Sequence, residues 1–406
     1  MDTRRFRPRT IRHVIVLTLL LAGMPILQTS GVAAVMQEYA VPSGSHPHDV
    51  APAADGTVWY TAQASGELGR LDPVTGKTHH TKLGAGARPH GVIIGPDGAP
   101  WVTDGGLNAI VRVDPTTEAV QVFAMPPERG NVDLNTATFD RRGVLWFTGQ
   151  FGSYGRLDPK AGRVEVFEAP KGRGPYGITA TSDGAVYFAS LAGSYVGRID
   201  PHTQRLTVLT PPTPDQGARR AWADSADRVW VSEWNAGQLA VYDAATGRWR
   251  EWRLPGAKPA AYAVYVDAED MVWVSDFGAN ALLRFDPRTE GFEAFPLPSE
   301  TAMVRQLLGR PGEVWGAESR VDKLVVVRTA TGGQERKKNK LHADTLSRQS
   351  RGRLVSHDLP ASRIMQSQPR FDTVTVHLAL TAHRKDARLS PGLRRQGPAC
   401  HPTARP

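Results

Sequence analysis

Cysteine is almost missing from this chain. Cys400 is the only one among 406 residues, so no intramolecular disulfide can form and a packed core must carry the stability. Long apolar runs are scarce too. The longest, VIVLTLLLAGMPIL, lies near the N-terminus and is short for a bilayer span. Between residues 38 and 330 no apolar stripe recurs at helical spacing, which argues against an α-helical or α/β domain. A basic surface is also missing from that region, despite a net charge of +9. Residues 1–34 hold five arginines against one aspartate, and residues 331–406 hold fifteen Lys or Arg against five acids, which leaves the part between near −5. That balance speaks against a nucleic-acid partner.

What the chain does have is a sentence written seven times. HPHDVAPAADGTVWYTA (46–62) returns as RPHGVIIGPDGAPWVTD (88–104), and five further copies follow. The aligned aromatics are Trp59, Trp101, Trp146, Tyr187, Trp230, Trp273 and Trp315, about 43 residues apart. Each copy holds four short alternating runs separated by Asp-Gly and Asp-Pro turns, the pattern of strands. The fold expected is all-β: a seven-bladed β-propeller of four-stranded blades over residues 35–330. The phrase EYAVP (38–42) matches the fourth strand of other units, whereas the last unit stops after DKLVVVR. An N-terminal outer strand is therefore expected to complete the seventh blade and remove its open edge.

Flanking this region are two segments of other composition. Residues 1–34 combine a basic start, a short apolar run and small residues, as in a secretory signal peptide cleaved after Ala34. A secreted or periplasmic protein follows from that reading, with no stable membrane insertion after cleavage. Residues 331–406 are basic, lack tryptophan and read as a disordered tail.

In a propeller, the loops entering the innermost strands open on one face. The position eleven residues before each aromatic lies there and reads His48, His90, Asn135, Tyr176, Arg219 and Tyr262, with Arg305 seventh after a gap. Three residues after the aromatic come Ala62, Asp104, Gly149, Ser190, Glu233, Asp276 and Glu318. The two histidines fall on adjacent blades, and an imidazole is the natural general base near neutral pH. Asp104 is placed to orient His90 or to hold a metal ion. The tryptophans read as blade core, the aspartates of the Asp-Gly turns as turn formers, and His79, His80 and His202 as solvated on the opposite face.

The recurring PHGV (89–92), PYGIT (175–179) and GRID (197–200), with the aromatic-bearing turns between them, resemble the streptogramin B lyases, also called virginiamycin B lyases. The resemblance runs from Glu38 to about Arg328. It implies an antibiotic-resistance enzyme acting on a cyclic peptide or other small molecule, as a monomer. It implies His90 as the catalytic base, His48 as a substrate contact, and Mg²⁺ held by acidic side chains, with Asp104 at a metal-binding position. Arg88 stands where the family has its other metal-binding acid, so the same reading allows Arg88 to supply positive charge instead. Arg88, Tyr176, Arg219, Glu233 and Tyr262 complete the expected substrate wall. The implied reaction is elimination: His90 takes an α-proton, a C–O bond breaks, and the ring opens with an alkene. Two other readings stand beside it, a gluconolactonase-like lactonase and a non-catalytic exported binding propeller.

Overall fold

A computed structural model describes residues 34–200 and 202–329. The tail and all but the last residue of the leader lie outside the described residues. Within them, twenty-eight strands form seven four-stranded antiparallel sheets. The first strands, Pro47–Pro52, Pro89–Ile94, Leu134–Phe139, Pro175–Ala180, Ala218–Ala223, Ala261–Val266 and Val304–Arg310, pack against one another around the central axis. In the seventh sheet Val35–Ala40 pairs with Lys323–Arg328 as the outer strand, so the N-terminal strand closes the ring as the sequence reading expects.

The aligned aromatics fill the spaces between sheets. Trp146, Trp230, Trp273, Trp315 and Tyr187 are at most 1% exposed. The indole N–H groups of the tryptophans need partners once buried. The hairpin acids supply them: Asp97 accepts from Trp101, Asp140 from Trp146, Asp224 from Trp230 and Asp267 from Trp273. These aspartates therefore lock the core as well as forming turns. In the third strands Gly69, Gly155 and Gly197 lie flat against the rings of Tyr60, Phe147 and Phe188, where a Cβ would collide. One expectation fails here. His80 is not solvated: its ring is bonded to Tyr60 Oη at 2.7 Å and Glu67 Oε2 at 3.0 Å in the half-buried outer sheet.

Every first strand carries an irregularity at its start. Pro47 faces Ala62 and Val50 faces Tyr60, so His48 and Asp49 together stand opposite Thr61. The other six first strands shift register at the same place. Such a bulge re-aims side chains that strict alternation would send to opposite faces. A hydroxyl on the second strand stitches it to the neighbouring blade. Thr61 Oγ1 accepts the Asp49 N–H and donates to the His90 carbonyl. Thr103 does the same between Gly91 and Asn135, Ser232 between Arg220 and Tyr262, and Ser275 between Ala263 and Val304. Each blade thereby fixes the backbone on which the next blade mounts its channel-facing residue.

Candidate active site

The bulges build two tiers in the central channel. The upper tier is the series singled out in the sequence. Register places Arg305 in it: Val304 faces Glu318 just as Ala261 faces Asp276, which makes Arg305 the equivalent of Tyr262. The gap in the alignment is a seventh-blade hairpin one residue shorter, with Leu308 opposite Trp315 where Tyr265 faces Trp273. Above this tier opens a cavity of about 660 Å³ lined by Arg88, Arg305, Arg320, His46, Gln63 and Ser319 among others. Below it the channel is lined by Asp49, Gly91, Gly177, Arg220 and Gln306.

His48 and His90 stack at the centre of the upper tier, ring centroids 3.8 Å apart and tilted by 42°. His90 is the more accessible, at 8% against 2%. Its Nδ1 lies 3.1 Å from the Asn135 carbonyl oxygen, which can only accept, so Nδ1 carries the hydrogen. The lone pair is then on Nε2, facing the Asn135 amide nitrogen at 3.3 Å. Burial holds His90 well below the ordinary imidazole value and the His48 ring pushes the same way, against Asp49 and the Asn135 carbonyl. His48 is likewise held well below it by burial and by the charges of Arg220, Arg305 and Arg219. Both rings are neutral near pH 7, as a proton acceptor must be.

On the other side of the tier, Arg219 lies in an aromatic box. Its guanidinium is 3.5 Å from the Tyr262 ring centre, 4.6 Å from Tyr176 and 4.8 Å from Trp234, and it donates to Tyr176 Oη at 3.1 Å. The two tyrosine hydroxyls share a 2.6 Å hydrogen bond. Burial opposes ionisation of Tyr176, but Arg219 and Arg220 outweigh it and bring its hydroxyl below the usual phenol value. Tyr176 meets His90 edge-on at 6.2 Å, so the fold brings His48, His90, Tyr176, Arg219 and Tyr262 into one tier.

The lower tier holds what the sequence reading missed. Arg220, from the fifth blade, reaches across the channel to Asp49 of the first, with Nη2 3.0 Å from Oδ1. Its Nη1 donates to Thr136 Oγ1 at 2.7 Å. Asp49 Oδ1 also faces His48 Nδ1 at 2.7 Å. A buried ion pair thus fixes the His48 ring from beneath; burial pushes Asp49 upward and the guanidinium opposes it.

Two expected site residues lie elsewhere. Asp104 is fully buried, and its Oδ1 accepts the backbone N–H groups of Arg88, Gly106 and Leu107 at 2.8–2.9 Å. Asp276 repeats this clip with Ala260 and Gly278. In both, Oδ2 is buried without a partner, so the orphan oxygen is a property of the blade loop. Glu233 is buried against Gln238, 2.6 Å away. Arg88 is exposed at the cavity mouth.

Among the described residues one group brings ligand atoms close enough for a metal: His48, Asp49 and His90, within 4.8 Å. Two imidazoles and one carboxylate already paired with Arg220 are a poor donor set for Mg²⁺, which prefers oxygen ligands and retained water. Asp104 is not part of that group, and residue 88 is a cation.

Comparison with known proteins adds identity to this geometry. The family model described as the virginiamycin B lyase family matches residues 26–246, more than half of the chain. The chain belongs to the virginiamycin B lyase family. Among solved structures it is similar to virginiamycin B lyase from Staphylococcus aureus, in selenomethionine form, at 21% identity and a TM-score of 0.68, covering 73% of this chain and 99% of that one. A catalytically inactive histidine-to-alanine form of that enzyme with quinupristin gives 22% and 0.67, over 73% of this chain and 99% of that chain. A streptogramin B lyase gives 22% and 0.67, with 73% and 98% covered. At these identities the likeness shows the propeller. No curated protein matches.

Proposed function

We propose that this family member is an exported carbon–oxygen lyase that opens an ester-closed cyclic depsipeptide by elimination, with His90 as general base. The observation that carries the reading is a neutral His90 whose Nδ1 hydrogen is committed to the Asn135 backbone carbonyl, which leaves the basic lone pair on Nε2, facing the Asn135 side-chain amide at a long 3.3 Å. Family membership supplies the substrate class. Nε2 takes the proton from the carbon between the amide carbonyl and the ester-bearing carbon. The C–H pair becomes the new C=C bond, the C–O bond breaks, and the ester oxygen leaves within a carboxylate. Negative charge develops near Arg219 and Arg305, whose fields already depress His48. His48, fixed by Asp49, presents its ring to the substrate. No residue in this scheme requires the metal.

No helix among the described residues is long and apolar enough to cross a membrane. Export rests on the basic, apolar and small-residue order of the leader. The reading is tested by incubating the purified protein with a streptogramin B and following ring opening by mass spectrometry. Elimination opens the ring without a change of mass. Addition of one water would show hydrolysis and favour the lactonase reading, and an intact ring with bound ligand would favour a binding propeller.

A further inference from the structure

The mouth of the channel carries more positive charge than an elimination needs. Arg88 and Arg320 are exposed and Arg305 is half-buried, and all three line the same 660 Å³ cavity. None of them forms an ion pair with a carboxylate of the described residues, although most arginines of the third strands do, such as Arg112 with Asp97 and Arg156 with Glu165. The Nε atoms of Arg219 and Arg305 are buried without a hydrogen-bond partner.

Nearby acids are otherwise engaged. Asp322 accepts the amides of Gly44 and His46, Asp104 those of its own loop, and Asp49 holds Arg220. Glu318 is pushed by burial up to about 8 and is uncharged near neutrality. Asp133 is shared between Arg88 and Arg173. Arg305 and Arg320 remain without an ion-pair partner at a concave site, the arrangement that concentrates an anionic ligand and repels a cationic one.

We infer that the substrate is an anionic ester or lactone whose free carboxylate is held at the mouth by Arg305 and Arg320, with Arg88 beside them. This rests on the elimination reading for what happens next but not for recognition. Guanidinium groups suit the task, since their paired N–H donors match the two oxygens of a carboxylate. The carboxylate sits above the histidine tier, so it anchors the molecule while the ester descends toward His90.

A matched pair of probes tests this on the full chain: a threonine-ester depsipeptide with a free C-terminal carboxylate, and the same compound as its C-terminal amide. Calorimetric binding is measured on the His90→Ala protein, and turnover on the unaltered one. The carboxylate form is expected to bind roughly tenfold more tightly than the amide. The preference should fade as salt is raised and collapse in Arg305→Gln. Arg320→Gln, at an exposed position that the fold tolerates, should weaken it independently. Equal binding of the two probes, tighter binding of the amide, or no binding of either overturns the inference. Equal turnover of both would do so while leaving elimination intact. A carboxylate preference in binding without any turnover would uphold the anionic site and refute the lyase reading.

Discussion

Raising the pH past neutrality should weaken this propeller through two buried carboxyls. Glu233 and Glu318 are both fully buried, and burial pushes each up to about 8. Glu251 adds to the effect on Glu233 and Glu38 to that on Glu318, while Gln238 and Lys323 oppose it. In the unfolded chain both titrate near 4.5. Below that value both states keep their protons, and the stability contribution is fully present. As the pH rises, the unfolded carboxyl ionises first and stability is lost until the folded group ionises near 8. Each pH step costs ~1.4 kcal/mol per group. From about pH 6.5 to about pH 8 that is roughly 2 kcal/mol for each carboxyl. Water entering the opened pockets lowers the total for the pair to about 2–4 kcal/mol, against a typical ~5–15 kcal/mol for a folded domain. At ~2 °C per kcal/mol for a domain of this size, Tm should fall by about 4–8 °C. The window begins at 6.5 because the depressed histidines act in the other direction: their contribution is complete above 6.5 and is lost as pH falls below it. Melting curves at about pH 6.5, 7.5 and 8.5 in constant salt measure the slope. The double variant Glu233→Gln/Glu318→Gln should flatten it. A Tm that is level across the window, or a double variant with the same fall, refutes the reasoning.

His90→Ala should lower kcat for ring opening by about a hundredfold or more, whereas His48→Ala should raise KM more than it lowers kcat; equal effects on both parameters in both variants would remove the division of roles. Because the base must be neutral and its pKa is depressed, the acid limb of kcat/KM should lie below pH 6.5, and a limb above that value contradicts the assignment. Turnover should survive exhaustive chelation within about twofold, since the donor set suits Mg²⁺ poorly; strict magnesium dependence would reverse that conclusion. Removing residues 1–42 takes away the strand paired with Lys323–Arg328, the stacking of Tyr39 on Trp315 and the bonds from Glu38 to Ser299 and Lys323, so cooperative melting should be lost, and an unchanged melting curve would count against strand closure.

The upper tier was legible in the sequence because a propeller converts a fixed offset into a fixed place. Counting eleven residues back from each aromatic found His48, His90, Asn135, Tyr176, Arg219 and Tyr262, and the offset failed only at the seventh blade, where a shorter hairpin moves Arg305 by one. The lower tier was not legible. Alternation along a strand assigns Asp49 and Arg220 to the face opposite His48 and Arg219, yet the bulge turns consecutive residues into the channel. Their ion pair also joins positions 171 residues apart, which no local pattern announces. Asp104 was misleading for a related reason: its offset points to the functional face, but the glycines that follow leave loop amides open, and the carboxylate turns back to take them.

The hydroxyl stitches explain why such variety is possible on so regular a frame. Thr61, Thr103 and Ser232 bind the backbone amide of their own bulge and the backbone carbonyl of the next blade's tier residue, and Ser275 does the same with the carbonyl of Val304, just before Arg305. These bonds ask nothing of the side chains they position. A histidine, an amide, a phenol or a guanidinium can therefore occupy equivalent places without disturbing the ladder. Chemistry in this ring is set side chain by side chain, and a cationic mouth above paired imidazoles is one outcome that the same seven blades support.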